Sequence, residues 1–210
     1  MTRAFVLAAA LATLAALAGW PWLHWATKPL ATALLIAMVA PHGGGYARAV
    51  TAGLALSLVG DVALMLPGDH FLPGLVAFLL AHLAYLRALT RGAPLAARPL
   101  TWALFAALAV GLMAVLWSGV PPGMRAPVAV YAAVLAAMGA QAVTRAQILA
   151  TPAARLAALG GVLFMVSDTM LALNRFQGPV PLSPLWVLGT YYAAQFALAR
   201  SALPNRPGRV

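Results

Sequence analysis

Two aspartates stand inside apolar runs, Asp61 in Gly60-Asp61-Val62-Ala63-Leu64 and Asp168 in Ser167-Asp168-Thr169-Met170-Leu171. The chain has only three acidic residues in all. An acid within a membrane helix costs about 2.5–3.5 kcal/mol on insertion scales and normally faces the protein interior. Each lies about five or six residues from the same end of its apolar stretch, roughly 8–9 Å deep at the helical rise. A shared site is therefore expected. Two carboxylates in one dry pocket cannot both ionise easily, so one is expected to keep a proton while the other stays charged. Identical side chains would then supply a general acid and a charged partner. The structural alternative is that each pairs with a basic residue, Asp168 with Arg175.

Other polar residues could complete such a site. His82 lies well inside an apolar run, three residues before Tyr85. Tyr191 and Gln195 are four apart and share a helical face, as do Tyr192 and Gln195 at three. An interfacial belt would put aromatics at helix ends, so mid-helix tyrosines suggest a polar interior that binds substrate. Helix–helix hydrogen bonding is the competing use. Lys28 and Arg175 are expected at the rim above the aspartates, either as phosphate anchors or as snorkelling side chains. Ser57 and Ser167 lie near the acids, but no Gly-x-Ser-x-Gly elbow surrounds them, which argues against a serine hydrolase. The chain has no cysteine, so a thiol nucleophile is excluded. Asp61, Asp168 and His82 as a metal-ligand set is a weaker reading.

The elements that position these residues are apolar helices. Hydrophobic residues make up 64% of the chain and charged ones 8%, and mean hydropathy is +0.93. That leaves too little polar surface to cover a water-soluble globule. About eight stretches are long enough to cross a bilayer, near 4–20, 27–41, 46–66, 71–90, 99–118, 125–145, 154–174 and 183–202. The second is short and needs its flanks. The runs are continuous rather than alternating, which excludes a β-barrel. The expected fold is an all-α polytopic bundle, a single transmembrane domain over 1–203 with a basic tail at 204–210. The first stretch also resembles a signal peptide, with Arg3 before it and Ala16-Leu17-Ala18 near its end, though a retained helix is expected. The matching runs around Asp61 and Asp168, about half the chain apart, suggest a 4+4 internal repeat.

The net charge of +10 arises from the scarcity of acids. With eight helices, one side holds Arg3, Arg48, Arg87, Arg91, Arg98, Arg145, Arg155, Arg200, Arg206 and Arg209. The other holds only Lys28, Arg125 and Arg175. This asymmetry places both termini in the cytoplasm. No basic run is interleaved with aromatics, so no nucleic-acid partner is expected. The arginine- and alanine-rich composition suggests a bacterial inner membrane.

Several segments together resemble a known family. Thr27-Lys28-Pro29-Leu30 is followed by Ser57-Leu-Val-Gly60-Asp61-Val-Ala-Leu-Met65 and Phe71-Leu-Pro-Gly74, which runs on to Ala81-His82-Leu-Ala-Tyr85. Then come Gly161-Val-Leu-Phe164-Met-Val-Ser167-Asp168-Thr-Met-Leu171 and Thr190-Tyr191-Tyr192-Ala-Ala-Gln195. This order and spacing, over roughly 27–201, resembles the YhhN-like lysoplasmalogenase family. The resemblance implies hydrolysis of the vinyl ether bond of a lysoplasmalogen to a fatty aldehyde and glycerophosphoethanolamine or glycerophosphocholine. It implies no cofactor, a lysophospholipid partner drawn from the membrane, and catalysis at Asp61 and Asp168. Paired carboxylates suit a reaction that passes through an oxocarbenium ion. A proton-coupled transporter and a lipid-binding protein using the same aspartates are the alternatives.

Overall fold

The computed structural model describes residues 1–204; Asn205 to Val210 are outside it, so most of the expected basic tail, with Arg206 and Arg209, lies outside the described residues. Those residues form eight α-helices: α1 (Thr2–Ala18), α2 (Pro21–Val39), α3 (Gly45–Met65), α4 (Phe71–Leu89), α5 (Pro99–Leu116), α6 (Pro122–Leu149), α7 (Pro152–Phe176) and α8 (Ser183–Ser201). The all-α expectation holds. Helix starts depend on proline: Pro21, Pro99, Pro122 and Pro152 each stand in the first turn, where the missing N–H would be unpaired in any case. Gly19, at φ 69°, ends α1 in the left-handed region that glycine enters without strain.

Proline also explains where the helix boundaries differ from expectation. Read as a break, Pro21 moves the start of α2 to about residue 27; it is instead the first helical residue. α6 begins at Pro122 and continues through Pro127 to Leu149, beyond the expected 125–145. α7 runs to Phe176, so Asp168 sits eight residues from its end while Asp61 sits four from the end of α3. At the helical rise those depths are roughly 12 and 6 Å, so the two aspartates are not level.

Contacts run α1–α2–α3–α4–α6–α7–α8 and return to α1, a closed circuit of seven helices. Phe5 stacked on Phe196, centroids 5.3 Å apart, helps seal the last joint between α1 and α8. Helix α5 lies outside, against α6 and α7, and exposes Leu100 and Val110. α8 also touches α2 and α3, which brings its polar face to the interior. Two glycines let α3 and α4 close up: a Cβ on Gly53 would strike the Tyr85 ring, and one on Gly60 the Phe78 ring.

Helices α3 to α7 are long and apolar enough to cross a membrane. α2 and α8 have the length but carry Thr27, Lys28 and Thr32, and Tyr191, Tyr192 and Gln195, all buried. The chain is a multi-pass integral membrane protein whose polar residues are turned inward. Arg91 and Arg145 meet at one end of the bundle, beside the start of α3. Tyr46, opening α3, bonds Ser201, closing α8, at 2.8 Å, and Arg145 near the end of α6 lies over the same tyrosine.

Candidate active site

Asp61 is 1% exposed and fully engaged. Lys28 Nζ lies 3.3 Å from its Oδ1. Thr32 donates its hydroxyl to Oδ2 at 2.9 Å, and Tyr191 donates to the same oxygen at 2.7 Å. Lys28 and Thr32 are four apart on α2 and so reach the same neighbour. The chain of bonds continues inward. Gln195 Nε2 donates to the Tyr191 hydroxyl at 3.1 Å, and Tyr85 donates to Gln195 Oε1 at 2.6 Å. Four helices, α2, α3, α4 and α8, thus meet around one carboxylate, and every bond in the series is buried.

Asp168 belongs to a different cluster. The Tyr131 hydroxyl, from α6, donates to its Oδ2. His82 Nε2, from α4, lies 3.3 Å from that oxygen and 2.9 Å from the Tyr131 hydroxyl. Both contacts fall on Oδ2, and among the described residues no hydrogen bond falls on Oδ1. The Asp168 side chain is 11% exposed, against 1% for Asp61. The difference matters because Asp168 faces a narrow apolar cavity of about 50 Å³. Leu75, Phe78, Leu112 and Leu135 form much of the wall, and Asp168 and Tyr131 are its polar side chains. An apolar lining with a few convergent polar groups is the usual make-up of a small-molecule site.

Aromatic rings stand between the clusters. Phe164 meets the His82 ring edge-on at 4.6 Å and the Tyr191 ring at 5.5 Å. No hydrogen bond among the described residues joins the two carboxylates. A proton shared between them, as expected from their burial alone, is not what this geometry provides. The proposed metal set is likewise divided, since His82 reaches Asp168 and not Asp61.

The basic residues are placed differently from each other. Lys28 is 7% exposed and bound to Asp61, not free at the rim. The early start of α2 puts it two turns inside the helix, where a buried cation is held by a buried acid. Arg175 does lie at an end of the bundle, but its partner is Asp69 at 2.7 Å, not Asp168. The Phe71 amide and the Arg175 guanidinium hold the Asp69 carboxyl below the usual carboxylate range. Arg175 also lies over the Phe71 ring, 5.1 Å from its centroid. Phe71 and Phe176 line both the cavity and a second hollow holding Asp69 and Arg175, so the arginine stands at the cavity mouth. Tyr192 packs against Tyr191, but its buried hydroxyl has no partner among the described residues. Ser167 donates to the Val187 carbonyl and ties α7 to α8.

Sequence reasoning missed Tyr131 and Thr32. Tyr131 bears the same signal that singled out Tyr85 and Tyr191, a tyrosine far from either end of an apolar helix.

The YhhN family matches residues 23–202. The bovine protein named lysoplasmalogenase TMEM86A is 31% identical over 204 residues, covering 88% of this chain and 80% of its own length. The pig lysoplasmalogenase TMEM86B is 34% identical over 174 residues, covering 82% of this chain and 71% of its own. An Escherichia coli protein named uncharacterized membrane protein YhhN is 38% identical over a shorter stretch of 69 residues, covering 32% of this chain and 33% of its own. No solved structure matches. The matched span runs from α2 to the end of α8 and takes in both aspartate clusters and the cavity, and on it the chain belongs to the YhhN family.

Proposed function

We propose that the chain is a lysoplasmalogenase-type hydrolase that cleaves the vinyl ether bond of a lysophospholipid. The observation that carries this reading is Asp168 on the wall of an apolar cavity, with Oδ2 held by Tyr131 and His82 and Oδ1 left for the substrate. The similarity to lysoplasmalogenases over most of the chain supports the substrate class. The alkenyl chain occupies the cavity and the glycerophospho head group lies at the mouth, where Arg175 meets the phosphate.

The chemistry balances on one carboxyl group. Protonated Asp168 gives its proton to the alkenyl carbon remote from oxygen, forming a C–H bond and leaving an oxocarbenium ion beside the new carboxylate. That carboxylate stabilises the cation and takes a proton from the water that adds to it. The hemiacetal then collapses to a fatty aldehyde and the glycerol hydroxyl: Asp168 gives its proton to the leaving oxygen and takes one back from the hemiacetal hydroxyl as the carbonyl forms. Tyr131 and His82 fix the carboxyl group through Oδ2, so its rotation is not left to chance. Asp61 serves the same reaction from one aromatic layer away. Its bond to Tyr191 sets the ring that packs on Phe164, which in turn packs on His82. We place the basic end in a bacterial cytoplasm, with the cavity mouth towards the outer leaflet.

Turnover of a lysoplasmalogen in heavy water tests the mechanism. One deuterium is expected on the carbon next to the aldehyde carbonyl, with labelled water oxygen in the promptly reduced aldehyde. An aldehyde without deuterium at that carbon would rule out carbon protonation. No turnover of any alkenyl lysolipid would rule out the activity.

A further inference from the structure

Among the described residues, no acidic side chain stands at the basic end of the bundle. The chain's three acids are all placed elsewhere: Asp61 with Lys28, Asp69 with Arg175, Asp168 with Tyr131 and His82. At the opposite end from Asp69, Arg145 lays its guanidinium over the Tyr46 ring, 4.5 Å from the centroid. Its Nε donates to the Arg91 carbonyl at 3.2 Å, which fixes the plane of the group. Its Nη1 is buried and bonds nothing among the described residues. The Arg91 guanidinium packs against Gly45, where a Cβ would stand. Gly45 and Tyr46 open α3, whose first turn has no side-chain cap. Gly43 and Gly44 before them leave open space around the loop.

We propose that this corner binds the phosphate group of an anionic phospholipid, with Arg91 and Arg145 as its ligands. The Arg145 guanidinium keeps an N–H without an acceptor among the described residues, and the three Asp side chains are engaged elsewhere. A guanidinium grips phosphate oxygens through two parallel N–H bonds. The uncapped N–H groups of α3 add a third source of donors. A lipid rather than a free ion is indicated by the apolar side chains beside the corner. Leu95, in the loop after Arg91, is 57% exposed, and Ile148, one turn beyond Arg145, is 36% exposed. Acyl chains can lie along them while the head group reaches the arginines. This site is independent of the catalytic reading, since it shares no residue with the cavity.

Native mass spectrometry of the full chain, released from detergent after titration, tests the site. The wild type is expected to retain a phosphatidylglycerol at concentrations where phosphatidylcholine is lost, and millimolar inorganic phosphate should not displace it. Arg91→Gln/Arg145→Gln should retain about tenfold less, as loss of a charge-assisted bidentate contact implies. Arg155→Gln, a basic residue outside the corner, should behave as wild type. Arg91→Gln alone, at an exposed position, should fold and still lose retention several-fold. Equal retention of both lipids, undiminished retention by Arg91→Gln, or equal loss in Arg155→Gln would each overturn the proposal. Displacement by inorganic phosphate would overturn the assignment to a lipid.

Discussion

Lys28 Nζ lies 3.3 Å from Asp61 Oδ1, and both side chains are almost wholly withdrawn from solvent. One comes from α2 and the other from α3, so a single ion pair joins two helices inside the bundle. Either charge alone would be stranded in a low-dielectric interior. Asp61→Asn is expected to cost about 3–5 kcal/mol, because it leaves the ammonium without a counter-charge. Adding Lys28→Met should return much of that loss. A double-mutant cycle read by thermal melting in detergent measures the coupling. Simply additive losses would show that the two residues do not interact.

The bonds from Tyr85 through Gln195 and Tyr191 to Asp61 all donate in one direction. Their effect should fall with distance from the carboxylate. Tyr85→Phe leaves Gln195 Oε1 buried without a donor, a loss of about 1–3 kcal/mol in stability. It should lower turnover far less than Tyr191→Phe, which removes a bond to Asp61 itself. Equal turnover in the two variants would mean that Tyr191 acts only as packing.

The sequence made the helical bundle legible because membrane solvent leaves few choices for the backbone. It also marked most interior residues, since Asp61, His82, Tyr85, Asp168, Tyr191 and Gln195 are each conspicuous in apolar surroundings. It could not reveal who pairs with whom. Counting from Pro21 as a break puts Lys28 at the rim, yet Pro21 begins the helix and carries Lys28 inward. The separation of the two aspartates is a matter of which helices adjoin. α6 lies against α4 and α7, which brings Tyr131 to Asp168, while α8 reaches α2 and α3 and brings Tyr191 to Asp61. Periodicity within each helix carries no record of that arrangement.

At the cavity mouth, Asp69 competes with any phosphate for Arg175. The Asp69 carboxyl is held below the usual carboxylate range, so it stays ionised and the pair stays closed at neutral pH. It opens only as pH falls through that lowered value. Asp69→Asn should therefore lower KM for a phosphate-bearing substrate at neutral pH, and Arg175→Gln should raise it, with kcat little changed in both. A substrate without phosphate should show neither effect. Matching KM changes on both substrates would place Arg175 outside head-group recognition.

Asp168 is the carboxyl group that faces the cavity, so its loss should be the most damaging to chemistry and among the least damaging to the fold. Asp168→Asn keeps the shape of the side chain and an oxygen that Tyr131 can donate to, but removes the transferable proton. Turnover is expected to fall by about 10²–10⁴-fold, the usual range for a positioned general acid. Melting temperature and retention of a non-hydrolysable ether lysolipid should stay near wild type. Tyr131→Phe withdraws one hold on Oδ2 and should reduce kcat by a smaller factor with little change in KM. Adding Asp61→Asn to Asp168→Asn should slow the reaction scarcely further, because groups serving one step are not additive. The assignment of Asp168 as proton donor fails if Asp168→Asn turns over at the wild-type rate. It fails equally if that variant loses lipid binding and activity together while Asp61→Asn loses activity alone, since the donor would then be the other aspartate.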